Sequence, residues 1–263
     1  MKKYLVIGNP INHSLSPKLH NYWLEKNDID GIYDKKKLNN NDLKNFFAEV
    51  KNKSVQGINV TVPFKKDVIP YLDDLSLEAK KTQSVNTICL KNGKVIGHNT
   101  DISGFEFAVK DTGYDLNGKN VLVLGAGGVV SSIIFALYKM KVSNISICNR
   151  TKAKAENLKN IFKNLIVVNW DDVSKCDVVI NATSVGLKKD DNLDLDFSKF
   201  KNTEFFYDVI YNPKETNFLK DAKKLGKKTE NGKKMFIYQA AESFRIWHNI
   251  HPEINEEVSK LLD

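Results

Sequence analysis

Arginine is nearly absent: Arg150 and Arg245 are the only two among 40 basic residues. A net charge of +8 at pH 7 raises the question of a nucleic-acid partner, because clustered cations release counterions from a phosphate backbone. The lysines, however, are spread along the whole chain, whereas base readout and phosphate forks favour arginine. A solvated lysine-rich surface with no nucleic-acid partner is therefore expected. Cysteine is scarce as well. Cys89, Cys148 and Cys176 are odd in number and far apart, with no Cys-x-x-Cys and no histidine pair nearby, so neither a disulfide framework nor a metal site is indicated. No run approaches the roughly 20 apolar residues of a membrane helix. The opening MKKYLVIGNP meets Gly8 and Pro10 too soon for the apolar region of a signal peptide. A soluble, unprocessed protein of the reducing cytoplasm, with no membrane partner, is the expectation.

What remains is ample for a globular fold. With 263 residues, 41% of them hydrophobic, the chain suits two domains better than one. Short apolar runs alternate with helix-spaced patterns, the mark of βα units around a mainly parallel sheet. Strands are expected at Tyr4 to Ile7, Ile58 to Val62, Val121 to Leu124, Ile145 to Cys148, Val178 to Ile180 and Phe205 to Val209. Helices are expected at Pro17 to Lys26, Leu43 to Val50, Val129 to Lys139, Ala153 to Phe162 and Thr216 to Lys224. Asn92-Gly93 between TICLK and KVIGH is a type I′ hairpin dipeptide. The tail from Met235 to Leu262 reads as helical, broken near Pro252. The polar runs KKKLNNND and LKKDDNLD read as surface loops.

The stretch NVLVLGAGGVVSSIIFALYKM sets a glycine loop between a buried strand and an apolar helix, the context of a dinucleotide-binding turn. Gly125 permits the tight turn, and Gly127 lets the backbone approach a pyrophosphate facing the positive end of the helix dipole. Gly125, Ala126, Gly127, Gly128 and Val129 are the cofactor-loop candidates, with Val130 where the usual fingerprint has a third glycine. The next strand ends in ICNRT, so Asn149, Arg150 and Thr151 stand where an NAD site would carry an acidic residue. A carboxylate there would repel a 2′-phosphate, whereas a guanidinium grips it with two hydrogen bonds. NADP is therefore the expected cofactor, with Lys154 as second cation. VVINATSVG brings Ala182, Thr183 and Ser184 to the end of a further strand. They are read equally well as ligand contacts or as an ordinary strand-to-loop transition.

A dehydrogenase needs a base for the alcohol proton, and no histidine sits in an obvious site motif. Tyr-x-x-x-Lys, the short-chain solution, occurs at Tyr22/Lys26 and Tyr33/Lys37. Both precede the glycine loop, the reverse of the short-chain order, and in so lysine-rich a chain they read as chance. Other residues converge better. Ser14 and Ser16 stand two apart before the helix opened by Pro17. Asn59 and Thr61 alternate along one strand and so share a face. Asn86 lies in SVNTICL, and Asn99-Thr100-Asp101 closes GHNTDISGF. Each taken singly is more often a cap or turn residue than a ligand; Asp101 would serve as an N-cap ahead of Ser103 to Val109. Lys65, after the strand of INVTVPFKKD, is either solvated decoration or opposed by a partner.

Together these stretches resemble the shikimate dehydrogenases, from Tyr4 to the C-terminal helices. GNPI-x-HS-x-SP-x-x-HN, NVTVPFK, VNT, NTD-x-x-GF, GAGG, NRT, NATS-x-G and the late QAAESF occur in family order. The resemblance implies an α/β fold of two domains. Residues 1–101 and 235–263 would form the substrate domain, its C-terminal helices returning to it, and residues 102–234 a Rossmann-type doubly wound NADP domain, with the ligands meeting in the cleft between the two. It implies that Lys65 and Asp101 form the catalytic pair, exchanging the proton of the C3 hydroxyl while hydride moves between C3 and the nicotinamide C4. It further implies that Ser14 and Ser16 hold the substrate carboxylate, that Asn59, Thr61, Asn86 and Gln239 contact ring hydroxyls, and that Tyr211 lies near the nicotinamide. The family's G-x-G-M-L corresponds to GKKMF, which makes Gly232 a cofactor residue and puts Lys234 at the second glycine and Phe236 at the leucine. The loop lacks the arginine usual just after it, and Lys154 replaces the second arginine of the phosphate clamp, so a softer NADP preference is expected. The implied activity is reversible NADPH-dependent reduction of 3-dehydroshikimate to shikimate, by a monomer or homodimer. Two other readings stay open. One is a quinate/shikimate dehydrogenase using NAD, against which Arg150 and the Ser14/Ser16 pair tilt. The other is a non-catalytic sensor of shikimate-like ligands or NADP, which has no need of Lys65 and Asp101.

Overall fold

The computed structural model describes residues 1–51, 55–170, 175–188 and 190–263. The chain divides into two compact units, Met1–Gly104 with Ile237–Asp263, and Phe105–Phe236.

The first unit begins with β1 (Lys2–Gly8), α1 (Ser16–Lys26), β2 (Gly31–Lys37), α2 (Leu43–Lys51) and β3 (Gly57–Val60). β4 (Asp74–Leu75), α3 (Leu77–Thr82), β5 (Thr87–Lys91) and β6 (Lys94–His98) follow. Its sheet runs β2-β1-β3-β5-β6-β4. β2, β1 and β3 are parallel, and β5 runs against both β3 and β6. All four residues of β3 are buried, as a central strand demands. Ile58, Val60 and Ile88 pack with Phe46 and Phe47 of α2 and with Phe64, each such burial stabilising by about 1.5–3 kcal/mol. The hairpin between β5 and β6 turns on Asn92 at φ 52° and Gly93 at φ 78°, the two left-handed residues of a type I′ turn.

Two local expectations need correction here, while the expected break in the helical tail near Pro252 stands. β3 stops at Val60 rather than Val62, because Phe64 N–H turns back to the Thr61 carbonyl at 2.9 Å; Thr61 thus lies just past the strand. Lys35 to Lys37 belong to β2 rather than to a loop. Of that edge strand only Tyr33 is buried, so its side chains carry no apolar alternation. The helical tail resolves into α8 (Lys233–His248) and a short α9 (Glu256–Lys260), the latter capped by Asn255, whose side chain accepts from Val258 N–H.

The boundary between the units falls inside α4 (Asp101–Asp111) and inside α8. The second unit holds β7 (Asn120–Leu124), α5 (Val130–Lys139), β8 (Asn144–Cys148), α6 (Lys152–Leu158), β9 (Ile166–Val167), β10 (Val178–Asn181), β11 (Phe205–Asp208), α7 (Asn217–Lys224) and β12 (Lys228–Glu230). The order is β12-β11-β10-β7-β8-β9, and every pair is parallel. Strand order reverses between β7 and β10, the switch point of a doubly wound sheet. α6 ends at Leu158, short of the expected Phe162, although Phe162 stays buried and its N–H still reaches the Leu158 carbonyl at 2.9 Å. α7 starts after Thr216, whose hydroxyl caps it by accepting from Leu219 N–H.

Candidate active site

Strand direction gathers the first set of residues. β1, β3 and β6 point the same way and β5 runs against them, so one edge of the sheet collects the carboxyl ends of three strands and the amino end of the fourth. Ser14 and Ser16 follow β1, Thr61 and Lys65 follow β3, Asn99 to Asp101 follow β6, and Asn86 precedes β5. The register agrees, with Asn59 opposite Thr87 and Thr87 opposite His98.

Lys65 is opposed. Its Nζ lies 2.5 Å from Asp101 Oδ2, with side chains 13% and 7% exposed. The Lys65 carbonyl accepts from Val85 N–H at 2.8 Å, which ties its turn to the segment carrying Asn86. Asp101 opens α4, but its carboxylate is turned to Lys65 and Asn86: Asn86 Nδ2 donates to Asp101 Oδ1 at 3.0 Å. The orientation of that amide follows from its other contact. Thr100 N–H donates to Asn86 Oδ1 at 2.7 Å, and since a backbone N–H only donates, the amide oxygen must face it and the nitrogen must face the carboxylate. One carboxylate oxygen is thus held by a neutral donor and the other by an ammonium. With the pair nearly dry, removing one partner would leave the other charge buried, on the order of 3 kcal/mol unfavourable.

Behind Asn86 lies a fully buried polar layer. The hydroxyls of Thr87 and Ser243 are 2.7 Å apart, those of Thr100 and Ser243 3.2 Å apart, and Ser243 is 0% exposed. Asn59 Nδ2 donates into the layer, to Ser243 Oγ at 3.0 Å and Thr87 Oγ1 at 3.1 Å. Gln239, one turn before Ser243 on α8, accepts from Asn86 Nδ2 at 3.4 Å through its Oε1. Ser14 and Ser16 also come together: Ser16 N–H donates to Ser14 Oγ at 3.3 Å, with Ser14 half-buried and Ser16 buried at the start of α1. Thr61 is half-buried, its N–H donating to the Ile7 carbonyl at 3.0 Å. Sequence reasoning missed Ser243 and Thr87, although both stand inside matched motifs. Their signal was concealed, because neither is marked out by spacing or by charge.

The second set belongs to the other unit and is built differently. Gly125 takes φ 108°, and a Cβ there would meet the Ala182 carbonyl at 2.9 Å, so the turn from β7 passes directly against the end of β10. Gly127 has no such packing reason: a Cβ would meet nothing within 4 Å. Gly127 and Gly128 are exposed, Ala126 and Val129 half-buried, and α5 begins without a side-chain cap. A bare loop opening an uncapped helix fits a pyrophosphate. At the end of β8, Arg150, Thr151 and Lys154 are exposed, and Asn149 Nδ2 donates to the Thr151 carbonyl at 2.8 Å. Thr183 leans toward the structural reading: its hydroxyl donates to Asn181 Oδ1 at 2.7 Å and accepts from Val185 N–H at 3.0 Å. Ser184 is exposed and Ala182 buried. Asp208, buried beneath this turn, accepts from Asn181 Nδ2 at 3.1 Å and from Thr216 at 2.6 Å, and its burial raises the carboxyl pKa to about 6.

Gly232 is obligatory, since a Cβ would lie 2.0 Å from the Val209 carbonyl oxygen. Tyr211 packs on Phe236 with ring centroids 4.7 Å apart, and burial pushes its phenol up to about 12. Lys234 has its charge met locally. Its Nζ lies 2.7 Å from Asp111 and 3.9 Å from Glu230.

Among the described residues no group of three or more His, Cys, Asp or Glu is placed to hold a metal, and no helix is long and apolar enough to cross a membrane. Comparison with known proteins gives a consistent result. The family model described as shikimate dehydrogenase substrate binding domain matches residues 6–88, and the one described as shikimate / quinate 5-dehydrogenase matches residues 106–213. The shikimate dehydrogenase (NADP(+)) of Pelagibacter ubique is 51% identical over 262 residues, covering 100% of this chain and 99% of its own. Among solved structures, shikimate dehydrogenase from Aquifex aeolicus superposes with a TM-score of 0.91 at 38% identity, covering 100% of this chain and 97% of that one. Shikimate 5-dehydrogenase from Thermus thermophilus, in complex with NADP(H) and shikimate, gives 0.91 at 32% identity, with 100% and 98% covered.

Proposed function

The chain belongs to the shikimate dehydrogenase family, and from that premise we propose how its residues divide the work. The activity is the reversible NADPH-dependent reduction of 3-dehydroshikimate to shikimate, on the route to chorismate and the aromatic amino acids. The observation that carries the mechanism is the Lys65–Asp101 contact of 2.5 Å with Asn86 on the opposite carboxylate oxygen.

When bound, NADPH supplies hydride to the ring carbon C3. Negative charge then grows on the C3 oxygen, and the Lys65 ammonium gives it a proton. Asp101 accepts one of the three ammonium hydrogens, leaving the others to face the ligand, and keeps Lys65 aimed as its charge changes. In the oxidative direction Lys65 takes the same proton back. Asn86 prevents the carboxylate from rotating, while Ser14 and Ser16 hold the ring carboxylate and Asn59, Thr61, Asn86 and Gln239 meet ring hydroxyls. The second unit serves the cofactor. Gly125 to Val129 would hold the pyrophosphate, Ala182 to Ser184 would flank it, Asn149, Arg150, Thr151 and Lys154 would receive the 2′-phosphate, and Gly232 would line the nicotinamide end of the cofactor site. Tyr211 contributes a ligand contact from this unit. The partners are small molecules rather than nucleic acid, the assembly is a monomer or homodimer, and three unpaired thiols suit the cytoplasm.

The decisive experiment is NADPH absorbance decay with 3-dehydroshikimate, for the native chain and for Lys65→Ala. Proton transfer by a positioned side chain is worth roughly 10²- to 10⁴-fold, and a loss of that size with ligand binding retained is expected. A Lys65→Ala enzyme with native kcat removes Lys65 from the chemistry. A native protein that binds both ligands without turnover establishes the sensor instead, and running quinate and NAD in parallel separates the dual-specificity enzyme.

A further inference from the structure

Tyr33 belongs to the second Tyr-x-x-x-Lys stretch, whose position ahead of the glycine loop sets it apart from short-chain chemistry. Its side chain nonetheless ends in the polar layer of the first unit. On an edge strand whose other residues are exposed or half-exposed, Tyr33 is 2% exposed, and its hydroxyl donates to Asn59 Oδ1 at 2.7 Å. Ring and backbone are both fixed. The ring stacks on His20 at 4.3 Å and 4°, while the Asn21 side chain receives Tyr33 N–H at 2.8 Å and donates to its carbonyl at 2.9 Å. Burial holds the phenol pKa well above its usual value, so the group stays a neutral donor.

The Asn59 amide has one permitted orientation. Its Nδ2 lies 3.2 Å from the Asn86 carbonyl, which only accepts, so the nitrogen must face inward. Its two hydrogens are then shared among that carbonyl, Thr87 and Ser243, and none remains for a ligand. The oxygen, with one lone pair occupied by Tyr33, keeps the other.

We infer that Tyr33 is a positioning residue for the reaction: its buried hydroxyl holds the Asn59 amide so that the oxygen, and not the nitrogen, is presented to a ring hydroxyl. The inference rests on the reading of Asn59 as a ring-hydroxyl contact. Removing the Tyr33 hydroxyl leaves a buried acceptor unpaired and frees the amide to tilt, which weakens substrate binding without touching proton transfer.

The test is a double-mutant cycle on the full chain, with initial rates of shikimate oxidation and unfolding midpoints measured for Tyr33→Phe, Asn59→Ala and the pair. For Tyr33→Phe the expectation is a rise in KM for shikimate of about 5- to 30-fold, with kcat within about threefold and KM for NADP unchanged. Beside Asn59→Ala the Tyr33→Phe effect should disappear. A native KM in Tyr33→Phe overturns the inference, as does a collapse of kcat, which would make Tyr33 a proton-transfer group. A Tyr33→Phe effect that persists in full beside Asn59→Ala overturns the inference and leaves the reading of Asn59 standing. An Asn59→Ala enzyme with native KM removes that reading and the inference with it. If Asn59→Ala fails to fold, Asn59→Ser, which also removes the amide oxygen, takes its place under the same criteria.

Discussion

The two units carry their candidate residues in opposite ways. In the first, Asn59, Asn86, Thr87, Thr100, Asp101 and Ser243 are buried and bonded to one another, so the geometry is set before any ligand arrives. In the second, Gly127, Gly128, Arg150 and Lys154 are exposed, and the site is a backbone turn with cations beside it. On the proposed assignment, the difference matches the chemistry of the two ligands. Recognising several hydroxyls on a small ring needs directed donors and acceptors, and a buried unpaired polar group is heavily penalised. A diphosphate and a ribose phosphate are met by amides and mobile charges, for which exposure is no handicap.

The contrast is open to attack. Because Arg150 is exposed, Arg150→Ala should leave the unfolding midpoint unchanged while raising KM for NADP about 10- to 100-fold, the loss expected for charge-assisted hydrogen bonds. Steady-state kinetics with NADP and NAD decide it, and an unchanged NADP/NAD ratio would take Arg150 out of the phosphate site. Next in size is an effect confined to the buried unit. Among the described residues neither ring nitrogen of His20 finds a hydrogen-bond partner, and burial, followed by the neighbouring His248, lowers its pKa to about 3. A depressed histidine pKa contributes stability that is fully present above the unfolded value near 6.5 and is lost as pH falls toward the folded one, by about 1.4 kcal/mol per pH unit. His20→Phe should therefore flatten the decline in stability between pH 6.5 and pH 4; denaturant midpoints across that range test it, and an unchanged slope would mean that His20 is not the group responsible. Smallest is Lys234→Gly, which restores the family residue. As an exposed ion pair is worth about 0–1 kcal/mol, stability should move by less than that and KM for NADP by less than about threefold. A larger kinetic gain would show that this lysine obstructs the cofactor.

Much of the architecture was legible because apolar periodicity is a local signal. All six expected strands and four of the five helices differ from the structure by no more than a residue or two at an end. β2 was not legible, since an edge strand with one buried residue reads as loop, and neither was the end of β3, which depends on a turn closed by Phe64. Within the site, glycines, arginines and lysines stood out by their rarity or their motifs. Tyr33 sat in a pattern that its position in the chain disqualified, and Ser243 had no distinguishing neighbour.

From the residues alone came the two-part α/β plan, the glycine turn and the acid-free end of the following strand, while the pairing of Lys65 with Asp101 came only from the family resemblance. Those are matters of composition and order, which a linear chain records directly. The tertiary structure decided which way each amide faces, that Lys234 is answered by Asp111 and Glu230, and that a tyrosine on an edge strand reaches the buried polar layer around Asn59. Such facts depend on hydrogen bonds between residues as far apart in sequence as Asn59 and Ser243, whose 3.0 Å contact exists only once α8 has returned to the first sheet.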